Sequence, residues 1–317
     1  MAGLNLSQVR VIDPVLTTIA QGYKQSEMVG GFLFPRVPVN LRGGNIITFG
    51  KEDFMQYATA RAPGENTRRV QFGYSGSSFA LIDYSLEGMV PIEVYQEGVD
   101  STNGWQVDHM ALAMKKVDAI MARRLEIQQA NLARTAASYQ AANKVTLSGT
   151  GQWSDYTGTS NPMTNVETAK EAVRAATGKR ANTVVMGAAV FAKVRAHPSI
   201  VDRMKYTGRD IVTTDLLASL FGVDRVLVGD AIYSNDAGTT FTDVWGKDVV
   251  VAYTDLATVA DMGAPSYGYT YNLSGYPIVE QPYFDRNAKA WFVPVTRSEA
   301  PVIAAVNAGY LITNAVA

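Results

Sequence analysis

The most informative absence in this 317-residue chain is cysteine, of which there is none. Without thiols the chain can form no disulfide, no thiolate zinc site, no iron–sulfur cluster and no cysteine nucleophile. Histidine is nearly absent too, since His109 and His197 are the only two and lie far apart in the sequence. Their spacing fits no metal-ligand pattern, so we expect neither a histidine metal site nor a histidine-based catalytic pair.

Charged residues are also scarce, at 18% of the chain against an average of about 25%. The 28 Lys and Arg balance 29 Asp and Glu, so the net charge is −1, and a dedicated, strongly basic nucleic-acid binder is excluded. Few charges suit a protein whose surface is largely buried against partners. An ordinary surface rich in uncharged polar residues would give the same composition, and both interpretations stay open.

Motifs for membrane insertion, phosphate binding and serine catalysis are missing as well. No run of about 18 apolar residues occurs, and the N-terminus lacks the basic and apolar segments of a secretory signal. Residues 149–151 (GTG) begin like a dinucleotide loop but have Ser154 where the third glycine belongs, and Gly246-Lys247 is followed by Asp248 rather than by Ser or Thr. We therefore expect no membrane partner, no cofactor, no metal and no catalytic residue.

Residues 38–90 are predicted to form a long β-hairpin. Apolar residues alternate with polar or small ones over 70–74, which is the two-residue period of a strand. Pro63-Gly64 suits the two central positions of a type II turn, so we expect the tip near Gly64 and the base near residues 83–90. A two-stranded hairpin is marginal alone in water, and either its own domain or another molecule must support it.

Three arginines lie close to this predicted tip. Arg61 precedes the turn, and Arg68 and Arg69 follow it. The cluster is either a solvated face or a contact with an acidic surface of another molecule.

The strongest helical pattern covers residues 103–139. Apolar residues recur there at spacings of three, four and seven, namely Val107, Met110, Met114, Val117, Met121, Leu125 and Leu132. Asn103 followed by Gln106 indicates an N-terminal capping box. About 36 residues predict a helix of roughly 54 Å, with its methionine stripe in the core rather than at a ligand.

Alternating helix and strand patterns over roughly 165–262 predict a compact α/β domain. Thr164 with Glu167 indicates a capping box for a helix that ends at Gly178. After Pro265 the alternation of apolar and small or polar residues predicts strands again.

This order of elements resembles the major capsid proteins of tailed bacteriophages, which share the Hong Kong 97-type fold. Similar segments are FGYSG from Phe72, TAKEAVRAATGKRANTVVMG from Thr168, HPSIVDRMKYTGRD from His197, FTDVWGKD from Phe241 and PSYGYTYNLSGYPIVE from Pro265. The resemblance covers nearly the whole chain and implies an α+β fold. The implied parts are an N-terminal arm at 1–37, an extended E-loop hairpin at 38–90, a P domain at 91–164 with the spine helix 103–139, an A domain at 165–276, and returning P-domain strands at 277–317.

The resemblance also implies what the chain does. It implies self-assembly into the hexamers and pentamers of an icosahedral head that encloses double-stranded DNA, with no catalytic residues. The implied location is the virion capsid, assembled in the host bacterial cytoplasm, and the implied partners are a separate scaffolding protein or none, a portal and, in some members, a decoration protein. Near-zero net charge fits weak, non-specific contact with the packaged DNA. Because the E-loop lies over a neighbouring subunit in this fold, the resemblance assigns the inter-subunit contact to the tip residues Arg61, Pro63, Gly64, Arg68 and Arg69.

Two alternatives stay open at this stage. One is an encapsulin-like shell, which has the same fold but holds a folded enzyme cargo rather than DNA. The other is an enzyme with an α/β domain and a β appendage. The similar segments favour the phage capsid.

Overall fold

The computed structural model describes residues 28–45, 60–61, 66, 78–99, 108–204, 212–234, 240–255 and 266–317. Its helices are α1 (Gly30–Leu33), α2 (Ile92–Val99), α3 (His109–Arg134), α4 (Pro162–Thr177), α5 (Ala188–Val194), α6 (Pro198–Met204) and α7 (Thr214–Phe221). Its strands are β1 (Arg36–Val39), β2 (Gly43–Asn45), β3 (Ser78–Ala80), β4 (Ile82–Pro91), β5 (Lys144–Thr146), β6 (Thr183–Gly187), β7 (Arg225–Gly229), β8 (Ile232–Ser234), β9 (Phe241–Asp243), β10 (Val249–Ala252), β11 (Gly268–Leu273), β12 (Ile278–Val279), β13 (Tyr283–Asp285), β14 (Ala290–Ile303) and β15 (Gly309–Thr313).

The long helix α3 is shorter than its sequence pattern predicts. Asp108 is its N-cap, because the side chain accepts a hydrogen bond from the backbone N–H of Ala111 at 3.0 Å. The helix ends at Arg134, where Thr135 turns extended and its hydroxyl donates back to a carbonyl of the last turn. Its 26 residues span about 39 Å, so the bounds 103–139 and the length of roughly 54 Å are wrong. The expected cap at Asn103 lies outside the described residues.

A six-stranded sheet packs on the first half of α3. Its central strand β14 pairs along ten residues with β4 on one side and with β11, β12 and β13 on the other, while β1 pairs with β11. Val293 and Val295 of β14 pack against Met114 and Met121 of α3, which confirms that the methionine stripe lies in the core. Gly88 of β4 allows this approach, since a Cβ there would lie 3.1 Å from the Val117 side chain.

A five-stranded sheet in the order β5-β15-β10-β6-β7 packs on the second half of α3. One face, which includes Val184 and Met186, packs against α4 and α7. The other face, which includes Val185 and Val250, packs against Ala130 of α3. Strands covered on both faces read as continuous apolar runs, and β6 and β10 are buried at every position.

The start of α4 corrects a predicted cap. The helix begins at Pro162, and the Asn161 side chain accepts hydrogen bonds from the backbone N–H groups of Met163 and Thr164. An Asn cap followed by Pro at the first helical position is a strong start signal, so the capping box at Thr164 is wrong. The predicted end at Gly178 is confirmed, since this residue has φ +68° and its N–H bonds to the helix.

Two strands belong to a different sheet from the one that the domain boundaries predicted from the sequence imply. Strand β11, expected within the A domain at 165–276, pairs with β14 and β1. Strand β15, expected among the returning strands at 277–317, pairs with β5 and β10 in the five-stranded sheet. Local apolar patterns indicate a strand but not its distant partner. The domain boundary at residue 276 therefore could not be derived from the local pattern alone.

His197 is a buried structural residue. Its Nδ1 accepts a hydrogen bond from the backbone N–H of Ser199, and its Nε2 lies 2.8 Å from Ser160 Oγ. These contacts fit a neutral ring with its proton on Nε2. Burial lowers the pKa of His197, because the charged ring loses hydration.

We predict that the protein loses stability as the pH falls below about 6.5, the ordinary pKa of an unfolded histidine. Below that value the unfolded chain binds a proton that the folded His197 resists, so the stability present at higher pH is lost towards the lowered pKa of the folded state. His197→Gln should flatten this dependence, and His109→Gln is the matched control. Circular-dichroism melts across this range measure it, and a wild-type pH slope in His197→Gln would contradict the assignment.

Candidate inter-subunit interface

The described part of the predicted hairpin is its base. Strands β2 and β3 pair antiparallel, so the two legs of the hairpin start side by side. Arg42 Nη1 lies 2.6 Å from Asp83 Oδ2, and Phe79 stacks on Tyr271 with ring centroids 4.2 Å apart. The base is therefore held on the six-stranded sheet, and the 32 intervening residues, 46–77, connect two fixed ends.

Only one of the five residues predicted at the hairpin tip lies in the described part of the chain. Arg61 is exposed there. Pro63, Gly64, Arg68 and Arg69 lie outside the described residues, so the structure does not bring the cluster together and its role stays a prediction.

A groove of about 450 Å³ runs between β4 and the first half of α3. Five large apolar side chains in its lining are 38–59% exposed, namely Leu86, Met89, Val94, Leu112 and Ile120. Large patches of exposed apolar side chains are rare on monomeric soluble proteins, and where they occur they mark interaction surfaces. The buried stripe of α3 gives no sign of the groove, whereas Leu112 and Ile120, eight positions apart on another side of the helix, are the signal in the sequence that indicates it.

Charged side chains also connect α3 to the six-stranded sheet, in addition to the apolar contacts between them. Arg297 of β14 lies 2.5 Å from Asp118 of α3, and both side chains are at most 4% exposed. Arg124 of α3 donates to Glu299 at 2.7 Å, and its guanidinium carbon lies 3.2 Å from the centroid of the Tyr84 ring. Breaking such a buried pair is costly, so these contacts hold α3, β4 and β14 in one register beside the groove.

A single buried carboxylate joins the N-terminal part of the chain to the helix and the second sheet. Glu126 Oε1 accepts hydrogen bonds from the backbone N–H groups of Val29 at 3.0 Å and Gly30 at 2.9 Å, and from Trp245 Nε1 at 2.7 Å. Burial raises the pKa of Glu126, and these three donors counteract the shift. The contact requires glycine at position 30, where a Cβ would lie 2.2 Å from Gln129 Oε1. No sequence pattern singled out Glu126, because its donors are far away in the chain.

We predict that Glu126→Ala lowers the free energy of unfolding by about 3–5 kcal/mol, since each buried donor left without an acceptor costs roughly 1–3 kcal/mol. Glu126→Gln keeps an acceptor oxygen and should cost only about 1 kcal/mol. Glu171→Ala, on the exposed face of α4, is the control and should change little. Guanidinium denaturation of the three variants measures this, and equal losses for Ala and Gln would contradict the account.

The described residues lack the geometry of a metal site. They contain no group of three or more His, Asp or Glu side chains placed to hold a metal ion. Residues 149–151 form a single 3-10 turn, and the space beside Gly246 is filled by the Arg134 guanidinium, which lies 2.6 Å from where a Cβ would be. In the described part of the chain, no helix is both long and apolar enough to cross a membrane.

The chain is similar to several phage proteins of known sequence or structure. A phage-related protein of Bordetella bronchiseptica RB50 has a crystal structure similar to this chain, with a TM-score of 0.82 and 38% identity over 97% of this chain and 99% of that one. The major capsid protein of Burkholderia phage BcepMu is 38% identical over 312 residues, which are 97% of this chain and 98% of that protein. The capsid structure of cyanophage P-SCSP1u has a TM-score of 0.58 at 10% identity, covering 99% and 91% of the two chains, which supports the fold alone.

The family model described as phage major capsid protein E matches residues 132–297. This match spans just over half of the chain, and the curated relative covers nearly all of it. The chain therefore belongs to the phage major capsid proteins and has their α+β, Hong Kong 97-type fold.

Proposed function

We propose that this chain builds an icosahedral phage head from hexamers and pentamers that enclose double-stranded DNA. Family membership supports the shell, and the exposed apolar groove between β4 and α3 carries the proposal that copies of the chain meet there. The role is structural and involves no catalysis. Assembly takes place in the host bacterial cytoplasm, with a scaffolding protein, a portal and a decoration protein as candidate partners.

The two sheets suggest how the parts of the capsid fold are distributed. We propose that the six-stranded sheet with the first half of α3 is the P domain. The five-stranded sheet with α4 to α7 is then the A domain, and β15 belongs to it. The paired strands β2 and β3 form the base of the E-loop.

We propose that the groove is the site at which the E-loop of a neighbouring copy binds. We propose that residues 46–77 of one copy lie over the groove of a neighbouring copy, where apolar residues of the loop cover Leu112 and Ile120. The tip arginines then meet an acid at the rim, for which Glu87 is our candidate. A single exposed pair is worth about 0–1 kcal/mol, but the shell repeats it at every subunit.

An encapsulin-like shell is the second candidate, and a phage capsid protein at 38% identity favours the first. The two differ in cargo, because a phage head holds DNA and an encapsulin holds folded protein.

Size-exclusion chromatography with light scattering tests assembly of the full chain, alone and with its scaffolding protein co-expressed. We expect capsomers or shells. A monodisperse monomer under both conditions would overturn the proposal, and shells filled with folded protein instead of DNA would favour the encapsulin alternative.

Replacing Arg68 and Arg69 together by Glu should lower shell yield or the thermal stability of shells, because the charges at the E-loop tip are reversed. The subunit should stay folded by circular dichroism, since an isolated exposed pair contributes little. Lys179→Glu with Arg180→Glu is the matched control, because these two adjacent basic residues are exposed in the described part of the chain. Unchanged shells from the Arg68 and Arg69 double variant would show that the cluster is only a solvated face.

A further inference from the structure

The five-stranded sheet carries two exposed features near the C-terminal ends of its parallel strands. Strands β5, β15, β6 and β7 all run in one direction, because β10 is antiparallel to both of its neighbours. Their C-terminal ends therefore lie together. The paired strands β8 and β9 follow β7 at one edge, and a loop containing Tyr156 follows β5 at the other edge.

The paired strands β8 and β9, here called the A-hairpin, present apolar side chains to solvent. Phe241 is 70% exposed, and Ile232 and Tyr233 are also exposed. Phe241 lies opposite Ser234 in the register, so it shares a face with Ile232. The base of the A-hairpin is firmly held, since Val244 N–H donates to the Ala231 carbonyl at 2.9 Å and both residues are buried.

The sequence around the A-hairpin is acidic. Residues 226–246 contain three aspartates, Asp230, Asp236 and Asp243, and no Lys or Arg. Asp230 and Asp243 lie in the described part of the chain, where Asp230 is exposed and Asp243 is half-buried, so the described surface has an apolar centre with two acids beside it.

The second feature, here called the α5–α6 corner, is formed by the loop after β5 together with α5 and α6, and it has the complementary character. Tyr156 and Val201 are its exposed apolar side chains, at 41% and 36%. Tyr156 is held in place, because its hydroxyl donates to the Lys193 carbonyl at 3.1 Å and its ring packs edge-on against His197. The loop that carries it is fixed at this end of the sheet, where Trp153 N–H donates to the Ala315 carbonyl at 2.7 Å.

Positive charge surrounds this apolar centre. Residues 188–204 contain Lys193, Arg195 and Arg203, all exposed, with Asp202 as the one acid. Asp155 in the neighbouring loop accepts hydrogen bonds from Thr157. The α5–α6 corner is therefore complementary to the A-hairpin. Both have an apolar centre, and the charges beside these centres are opposite in sign.

We infer that the A-hairpin of one copy docks on the α5–α6 corner of the next copy. Two different surfaces of the same chain make a head-to-tail contact, and such contacts form a ring when the rotation between neighbouring copies closes. Docking also explains why a two-stranded hairpin, marginal alone in water, exposes a phenylalanine. This contact rests on the proposed assembly and specifies which surfaces join copies within a capsomer.

Engineered disulfides test the contact without background, because the chain has no cysteine. Phe241→Cys is combined in turn with Tyr156→Cys, Arg195→Cys or Val201→Cys in the full chain. After assembly and oxidation, at least one pair should give a ladder of covalent oligomers that ends at a closed ring. Phe241→Cys alone should give no ladder, and Phe241→Cys with Glu171→Cys, on the exposed face of α4, is the matched control.

The outcomes separate this contact from the proposed assembly. Shells that form without a ladder for any of the three pairs would overturn the docking and leave the capsid function intact. A ladder limited to dimers, formed by Phe241→Cys alone, would show a symmetric contact and also overturn it. Wild-type chain that never assembles would instead contradict the proposed function.

A truncation provides an independent readout. Phe241→Ser should leave the melting temperature of the isolated subunit nearly unchanged, because the side chain is exposed, and should lower capsomer yield about tenfold, as expected for a central aromatic anchor. Leu41→Ser, which removes another exposed apolar side chain, is the control. Normal capsomer yield from Phe241→Ser would contradict the docking.

Discussion

The helix α3 is the constraint on which the rest of the structure depends, because both main sheets pack against it. Its first half packs on β4 and β14, and its second half packs on the five-stranded sheet. Buried charged contacts set its position along the way, from Asp118 with Arg297, through Glu126, to Arg134 with Asp248 at 2.6 Å. Because α3 is held at these points, it fixes the positions at which the E-loop base and the A-hairpin extend from the two sheets.

The exposed apolar side chains fit the low proportion of charged residues in the sequence. Exposed apolar side chains occur on the groove, the A-hairpin and the α5–α6 corner, which are the surfaces that we propose the assembly covers. Composition alone allowed either buried partner surfaces or an ordinary polar surface. The clustering favours the first, since scattered single apolar residues are normal on any protein.

Sequence patterns predicted the helices and strands of this fold better than they predicted which strands pair with one another. The apolar stripe of α3 and the stop of α4 at Gly178 follow from local periodicity and local backbone conformation. The cap at Thr164 did not, because nearby Asn161 competes for the same role. The sheet positions of β11 and β15 depend on residues distant in sequence, and Glu126 acts through donors about 100 positions away. The interface was predicted from the resemblance at a hairpin tip, whereas the structure shows exposed surfaces on the two sheets.

Electron cryo-microscopy of particles assembled from the full chain tests the central claim most directly. The account predicts an icosahedral shell of hexamers and pentamers in which the groove between β4 and α3 is covered by a neighbouring copy. Particles in which that groove faces solvent in every subunit would contradict the account.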